Sequence, residues 1–326
     1  LGAVYRRDRL VIHPFDDALA RDLDRVRQIH PGDPLIASSD DDERYWTVVF
    51  DDDRDPGATY LFDRPTGESR LLFRSRPWLV AEHLAERRPV RITSRDGLTL
   101  RCYLTLPVGV PERDLLLVHG GPWARDSWGW DPQSQFLANR GYAVLQVNYR
   151  GSVGFGKAFT HAAEHEFAGK MHDDLIDGVN WAVAEGIADP GRVAIYGGSY
   201  GGYAALVGAT FTPEVFSAVI SVVGPSNLVT LVKSFPPYWR PLLAGTWFKF
   251  VGDPEDPAQL EDLQARSPIN RVDQIVAPLL VIQGANDPRV TKQESDQIVD
   301  ALRARNVPVE YMVKDDEGHG FAKKRN

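Results

Sequence analysis

The sequence predicts an α/β domain on a mostly parallel central sheet, preceded by a short antiparallel β segment. Three observations carry this reading. From about residue 89 onward, strand-like and helix-like stretches alternate along the chain. The strands Leu115-Leu116-Leu117-Val118 and Leu279-Leu280-Val281-Ile282 are apolar at every position, as a sheet covered by helices on both faces requires. Before residue 89 the β-like runs are short and turn-bounded, the pattern of antiparallel strands.

Taken in order, runs 44–50, 59–63 and 69–74 are predicted strands, separated by Asp51-Asp52-Asp53, Asp55-Pro56-Gly57 and Pro65-Thr66-Gly67. Leu19, Leu23, Val26 and Ile29 recur at helical spacing within 16–29, which predicts a helix there. Strands follow at 98–106, 115–119, 143–148, 193–196, 218–223, 279–283 and 309–313, with helices at 132–139 and 174–184. We divide the chain into a β-rich segment, 1–88, and an α/β domain, 89–326, with an insertion at about 224–267. No internal repeat stands out at a fixed period.

Composition removes several function classes. With 43% hydrophobic and 25% charged residues, the chain is globular in character and not disordered. Lys plus Arg number 37 against 45 Asp plus Glu, so the cationic surplus that neutralises nucleic-acid phosphates is missing. Cys102 is the only cysteine, which rules out an intramolecular disulfide and a cysteine zinc site; a reducing, cytoplasmic setting is expected. No apolar run approaches the roughly 20 residues that span a bilayer, and no apolar stretch follows Arg6, Arg7 and Asp8, so no membrane association is expected.

The strongest chemical signal is Gly197-Gly198-Ser199-Tyr200-Gly201-Gly202, between a predicted strand and an apolar helical run. A serine on so sharp a turn needs small neighbours two positions to either side, because side chains there would collide with the crossing backbone. Ser199 is the expected nucleophile. Its hydroxyl needs a base in hydrogen-bond reach and a third group to orient that base. Asp287, after the strand 279–283, and His319, in Gly318-His319-Gly320, supply them in the chain order Ser, Asp, His of the nucleophile-elbow arrangement. Each taken alone reads equally well as a turn residue; their joint order is what argues for a triad. This predicts an α/β-hydrolase fold, and a serine at the elbow disfavours dehalogenase-type chemistry, which places an aspartate there.

The oxyanion that forms when serine attacks a carbonyl needs preorganised donors. The Tyr200 N–H, next after the nucleophile, is one. The second is expected from His119-Gly120-Gly121-Pro122, directly after a strand, with Gly121 preferred and Gly120 next. His161 and His165 are spaced to share a helix face, but no zinc motif containing Glu surrounds them, so no metal and no cofactor is expected.

These segments together resemble the prolyl oligopeptidase family of serine peptidases, in its acylaminoacyl-peptidase-like branch. The resemblance is carried by His119-Gly120-Gly121-Pro122-Trp123, Asn148-Tyr149-Arg150-Gly151-Ser152, Gly198-Ser199-Tyr200-Gly201-Gly202-Tyr203, Ser267-Pro268-Ile269-Asn270, Gly284-Ala285-Asn286-Asp287 and Gly318-His319-Gly320-Phe321. It implies that Ser199, Asp287 and His319 are catalytic. It also implies a β-propeller ahead of the α/β domain and a final helix after it. Only about 88 residues precede that domain, of which 40–75 resemble one blade, and the chain ends soon after His319. Either a fragment or a shortened enzyme is expected; the latter would cover its exposed apolar surfaces by self-association.

Within the insertion, Phe235, Tyr238, Trp239, Trp247 and Phe248 form an aromatic cluster that suits an apolar substrate pocket or ordinary packing. An ester makes lighter demands than an amide, since an alkoxide leaves more readily than an amine. The expectation is therefore a carboxylesterase acting on small apolar acyl esters. The alternative is an aminopeptidase or acylaminoacyl peptidase acting on short peptides. A binding protein that keeps the fold without the chemistry is the third reading, disfavoured because every triad residue is present.

Overall fold

The computed structural model describes residues 2–109 and 113–323, which divide into two compact units. One comprises Leu1–Val90, Tyr103–Glu112 and Ser127–Val144; the other comprises Arg91–Cys102, Arg113–Asp126 and Leu145–Asn326.

The first unit opens with a hairpin of β1 (Gly2–Arg6) and β2 (Leu10–Pro14), then helix α1 (Asp17–Arg27). The Asp16 carboxylate caps α1 by accepting the Leu19 N–H at 2.8 Å, and Leu23 and Val26 on its apolar stripe are buried. A four-stranded antiparallel sheet follows in sequential order: β3 (Asp33–Ser39), β4 (Tyr45–Asp51), β5 (Ala58–Asp63) and β6 (Ser69–Arg74). Val26 packs with Trp46, Val48, Phe50 and Phe62, the alternate inward positions of β4 and β5, so the period-two pattern decides which face is core. The edge strand β6 is exposed throughout, Leu71, Leu72 and Phe73 included.

An eight-stranded sheet holds the rest. Its strands are β7 (Arg87–Thr93), β8 (Thr99–Thr105), β9 (Arg113–Val118), β10 (Tyr142–Asn148), β11 (Val193–Gly198), β12 (Ala218–Val222), β13 (Leu279–Gly284) and β14 (Val309–Lys314). The spatial order is β14-β13-β12-β11-β9-β10-β8-β7, and every pairing from β14 to β9 is parallel. This is the expected α/β-hydrolase arrangement, mostly parallel, with a short antiparallel sheet near the N-terminus. The helices are α2 (Pro132–Ala138), α3 (Lys157–His161), α4 (Lys170–Ala184), α5 (Tyr200–Phe211), α6 (Leu228–Lys233), α7 (Arg240–Leu243), α8 (Trp247–Phe250), α9 (Pro257–Ala265) and α10 (Lys292–Arg303). Helix α5 is buried from Tyr200 to Thr210, which is why its sequence is apolar on all sides.

Two buried polar networks fix the second unit. Arg150, just past β10, bonds both oxygens of Asp174 on α4 (2.7 and 2.9 Å) and both oxygens of Asp96 (2.9 Å each). Burial pushes the Asp174 carboxyl up and the Arg150 bonds oppose that shift; Asp96, which is more exposed, is held well below the usual carboxylate range chiefly by its Arg150 bond. Removing one partner would strand a buried charge, at a cost of roughly 3–5 kcal/mol. The second network is centred on Glu294 of α10, which accepts the N–H groups of Ser226 and Asn227 at 3.0 and 2.9 Å and so ties α10 to the chain entering α6.

His172 on α4 is buried beside Thr212 (Nε2 to Oγ1, 3.0 Å), and burial lowers its pKa from 6.5 to about 4. The folded state holds this ring neutral while the unfolded chain protonates it. His172 therefore supports the fold fully above 6.5, and that contribution falls away as pH drops toward 4. Urea unfolding across this window should be less steeply pH-dependent for His172→Gln than for the parent. Identical slopes would remove the ring from the account.

Candidate active site

Ser199 stands between β11 and α5 with φ 59° and ψ −119°, a conformation side chains rarely adopt. Neighbouring backbone holds it there: the Ser199 N–H donates to the Val222 carbonyl of β12 at 2.8 Å, and its carbonyl accepts from Tyr203 at 3.0 Å. The small neighbours are sterically required. A Cβ on Gly201 would lie 2.1 Å from the Val118 carbonyl oxygen at the end of β9, and one on Gly197 would lie 2.4 Å from the Gly201 backbone.

Asp287 follows β13 and is almost fully buried. Its Oδ1 accepts the N–H groups of Arg289 (2.8 Å) and Val290 (3.0 Å), and its Oδ2 lies 2.7 Å from His319 Nδ1. His319 sits on the loop after β14, where Glu317 accepts the N–H groups of Ala322 and Lys323 at 3.2 and 2.9 Å. The same loop is bonded to the β13 exit through Asn286 N–H to the Glu317 carbonyl at 2.9 Å. Gly284 permits this approach, since a Cβ there would meet the Gly318 carbonyl oxygen at 2.2 Å. His319 Nε2 is 3.0 Å from Ser199 Oγ. A carboxylate only accepts, so Nδ1 carries the proton toward Asp287 and Nε2 is the bare nitrogen that can take the serine proton. Side chains from three distant parts of the chain thus form one hydrogen-bonded line.

A cleft of about 250 Å³ opens at Ser199 and His319, with Gly121 and Tyr200 in its wall. Tyr200 is the first residue of α5, where N–H groups have no intrahelical acceptor, and Gly121 has φ +124°, a conformation suited to glycine. Both positions fit donors for an oxyanion. His119, before them, is committed to structure: its ring stacks on Tyr149 at 4.4 Å and its Nε2 is 2.9 Å from Ser152 Oγ.

Of the aromatic residues singled out from the insertion, Phe235, Trp239 and Trp247 line this cleft. Tyr238 and Phe248 are not among its lining residues, and Tyr238 is 75% exposed. Three-residue and four-residue helical turns in 237–250 rotate neighbouring rings to different sides, which a composition count does not resolve. Trp123 and Phe167 also line the cleft, with Arg289 and Val290 beside the catalytic-type loop. Trp123 was legible in the motif His119 to Trp123, but nothing local marks Phe167, which reaches the site by packing at 4.9 Å on Tyr200. His161 and His165 do not share a helix face, because α3 ends at His161 and His165 has φ 56°.

The sequence signature described as the prolyl oligopeptidase family matches residues 128–326. The chain belongs to the prolyl oligopeptidase family. It is 49% identical over 99% of its length to dipeptidyl aminopeptidase BIII of Pseudoxanthomonas mexicana, 48% of which is covered. Dipeptidyl peptidase family member 6 of Caenorhabditis elegans is 40% identical over 99% of this chain and 47% of that protein. The crystal structure of the Pyrococcus horikoshii acylaminoacyl peptidase superposes with a TM-score of 0.75 at 27% identity, covering 89% of this chain and 46% of that one. The chain thus spans about half the length of the curated relatives it matches. These prolyl oligopeptidase relatives are peptidases by name, which overturns the expectation of a carboxylesterase. That expectation rested on the lighter demands of ester chemistry, and lighter demands are no evidence of which bond a site selects.

Gly201→Ala tests the steric argument. A methyl 2.1 Å from a carbonyl oxygen cannot be absorbed without moving β9 or α5. We expect a loss of stability on the order of 1–3 kcal/mol together with most of the turnover; a fully active variant of unchanged melting temperature would contradict it.

Proposed function

We propose that this chain carries the catalytic machinery of a peptidase that removes short N-terminal units, dipeptides foremost, from peptides by way of an acyl-enzyme. In this reading Ser199 attacks the scissile carbonyl, and His319 Nε2 takes the serine proton and returns it to the leaving amine. Asp287 holds the imidazole in that tautomer, and the N–H groups of Gly121 and Tyr200 stabilise the oxyanion. Deacylation repeats the sequence with water as nucleophile. The observation that carries the proposal is the line Ser199–His319–Asp287, at 3.0 and 2.7 Å, opening on a cleft walled by Phe235, Trp239 and Trp247. An apolar side chain next to the scissile bond is the complement of that wall. The two relatives named as dipeptidyl peptidases, aligned over 99% of the chain, support dipeptide release over the acylaminoacyl alternative.

We read residues 1–88 as a β-rich segment distinct from the catalytic domain at 89–326, and β3 to β6 as one propeller blade; four sequential antiparallel strands are what a blade contains. Among the described residues no helix is long and apolar enough to cross a membrane. We assign the chain to the cytoplasm on the strength of its single, buried cysteine, Cys102.

The substrate class is tested by comparing an unblocked dipeptidyl nitroanilide with its N-acetylated form and with an acetyl-aminoacyl nitroanilide. The unblocked dipeptide should be preferred in kcat/KM; preference for the acetyl-aminoacyl compound would favour the alternative, and cleavage of none would end the peptidase reading. For the triad, Ser199→Ala should lower kcat by roughly a million-fold and Asp287→Asn by on the order of ten-thousand-fold. Near-parental turnover in either variant would remove that residue from its role.

A further inference from the structure

The wall of the cleft is held from behind by a residue that does not line it. Glu294 lies on the first turn of α10, just past the loop in which Asp287 accepts the Arg289 and Val290 N–H groups, and it is 1% exposed. Its Oε2 accepts the N–H groups of Ser226 (3.0 Å) and Asn227 (2.9 Å) and the Gln297 side-chain amide (2.9 Å), while its Oε1 accepts the Thr230 hydroxyl. The Glu294 backbone carbonyl accepts the Ser226 hydroxyl at 2.6 Å. All of these donors are neutral, so the bonds act through direction and length and not through pairing of opposite charges. The segment they grip is the one that carries the wall. Pro225 precedes Ser226, Leu231 follows Thr230 on α6, and Phe235 follows the end of that helix; all three line the cleft at Ser199. The Phe235 ring centroid lies 4.7 Å from that of Trp247 and 5.2 Å from that of Trp239, so the other two rings of the wall lean on the same segment.

We propose that Glu294 is a positioning residue for substrate selection: by fixing α6 against the helix that follows the Asp287 loop, it sets the distance between the aromatic wall and Ser199 and so which acyl groups the cleft accepts. The proposal rests on the reading of Ser199 as the nucleophile and adds to it a determinant of the group next to the scissile bond. Two features separate this role from general support of the fold. The bonds converge on the start of α6 and on Thr230, the residues that flank Pro225 and Leu231, and reach no residue of the triad. The acid has its own support on the same helix, since Ser295 donates to Gln283 Oε1 at 2.8 Å and the Gln283 amide donates to the Val290 carbonyl at 3.1 Å. Adjacent residues of α10 thus serve different parts of the site, Ser295 the loop of the acid and Glu294 the wall. An acceptor is required at Glu294 because two buried backbone N–H groups aim at one oxygen. Glutamine meets that requirement: its oxygen accepts both N–H groups and its amide donates to Thr230 Oγ1, whose proton turns to the Asn227 carbonyl at 3.2 Å. An apolar residue cannot.

The test is the ratio of kcat/KM for nitrophenyl phenylpropanoate, whose ring fills the cleft, to that for nitrophenyl acetate, whose acyl group is too short to reach the wall. The parent should favour the phenylpropanoate. Glu294→Leu should lower the ratio about ten-fold or more, the cost of a misplaced apolar contact, with the loss concentrated on the longer ester. Glu294→Gln should restore the ratio to near the parental value. Thr230→Val removes one donor at little change of volume and should shift the ratio in the same direction by a smaller factor, so the proposal stays testable if Glu294→Leu fails to fold. Equal losses on both esters would mean that Glu294 supports only the fold, and would overturn the proposal. So would a Glu294→Gln variant as impaired as Glu294→Leu, which would place the effect in the charge and not in the acceptor geometry. Both esters need only an acyl-enzyme at Ser199, so the ratio decides this proposal even if dipeptidyl nitroanilides are left uncleaved, and the two readings fail separately.

Discussion

The arrangement depends on one close approach. The first turn of α5 passes the carboxyl end of β9 so tightly that the space a Cβ would take at Gly201 is filled by the Val118 carbonyl oxygen. This crossing forces the chain between β11 and α5 into the sharp turn that holds Ser199 at positive φ. It also sets the opening N–H groups of α5 beside the loop that follows β9, where Gly120 and Gly121 lie. The placement of Ser199 and that of the proposed oxyanion donors are in this sense one steric fact. A larger residue would not merely crowd the site; it would separate the helix from the strand that defines it.

The second constraint is sheet order. Parallel strands present their carboxyl ends on one edge, so loops leaving β9, β11, β13 and β14 converge although their residues lie up to 200 positions apart in broad terms of chain length. Asp287 leaves β13 and His319 leaves β14, adjacent strands in register from Leu279–Val309 to Gly284–Lys314. Carboxylate and imidazole therefore meet without either loop having to be long. Burial is graded along the line: the Asp287 side chain is inaccessible, that of His319 is 18% exposed, and Ser199 borders the open cleft. The acid is thereby shielded, while the serine can be reached.

The parts of the molecule legible in sequence were those governed by local sterics or by complete burial. The glycines around Ser199 announce a turn that tolerates nothing larger, and β9 and β13 announce a sheet covered on both faces. Strands β1, β2, β3 and β7 carry no comparable mark; they are short, polar in part, and defined by partners distant in sequence. Helix α10 is similarly quiet, because its stripe of Ile298, Val299 and Leu302 is narrow and Glu294, buried by its bonds to Ser226 and Asn227, interrupts it. The cleft wall was half legible: a dense aromatic run signals an apolar surface, yet only backbone direction separates Trp239 and Trp247, which line it, from exposed Tyr238.

By itself the sequence determined the fold class, the position of the elbow and the chain order of the residues that could serve a serine hydrolase, since these follow from excluded volume and from the order of motifs. Tertiary structure decided which aromatic rings face the serine and how Asp287 is locked by two backbone N–H groups. Those are properties of relative position in space, and a linear pattern specifies them only through the packing of the whole unit.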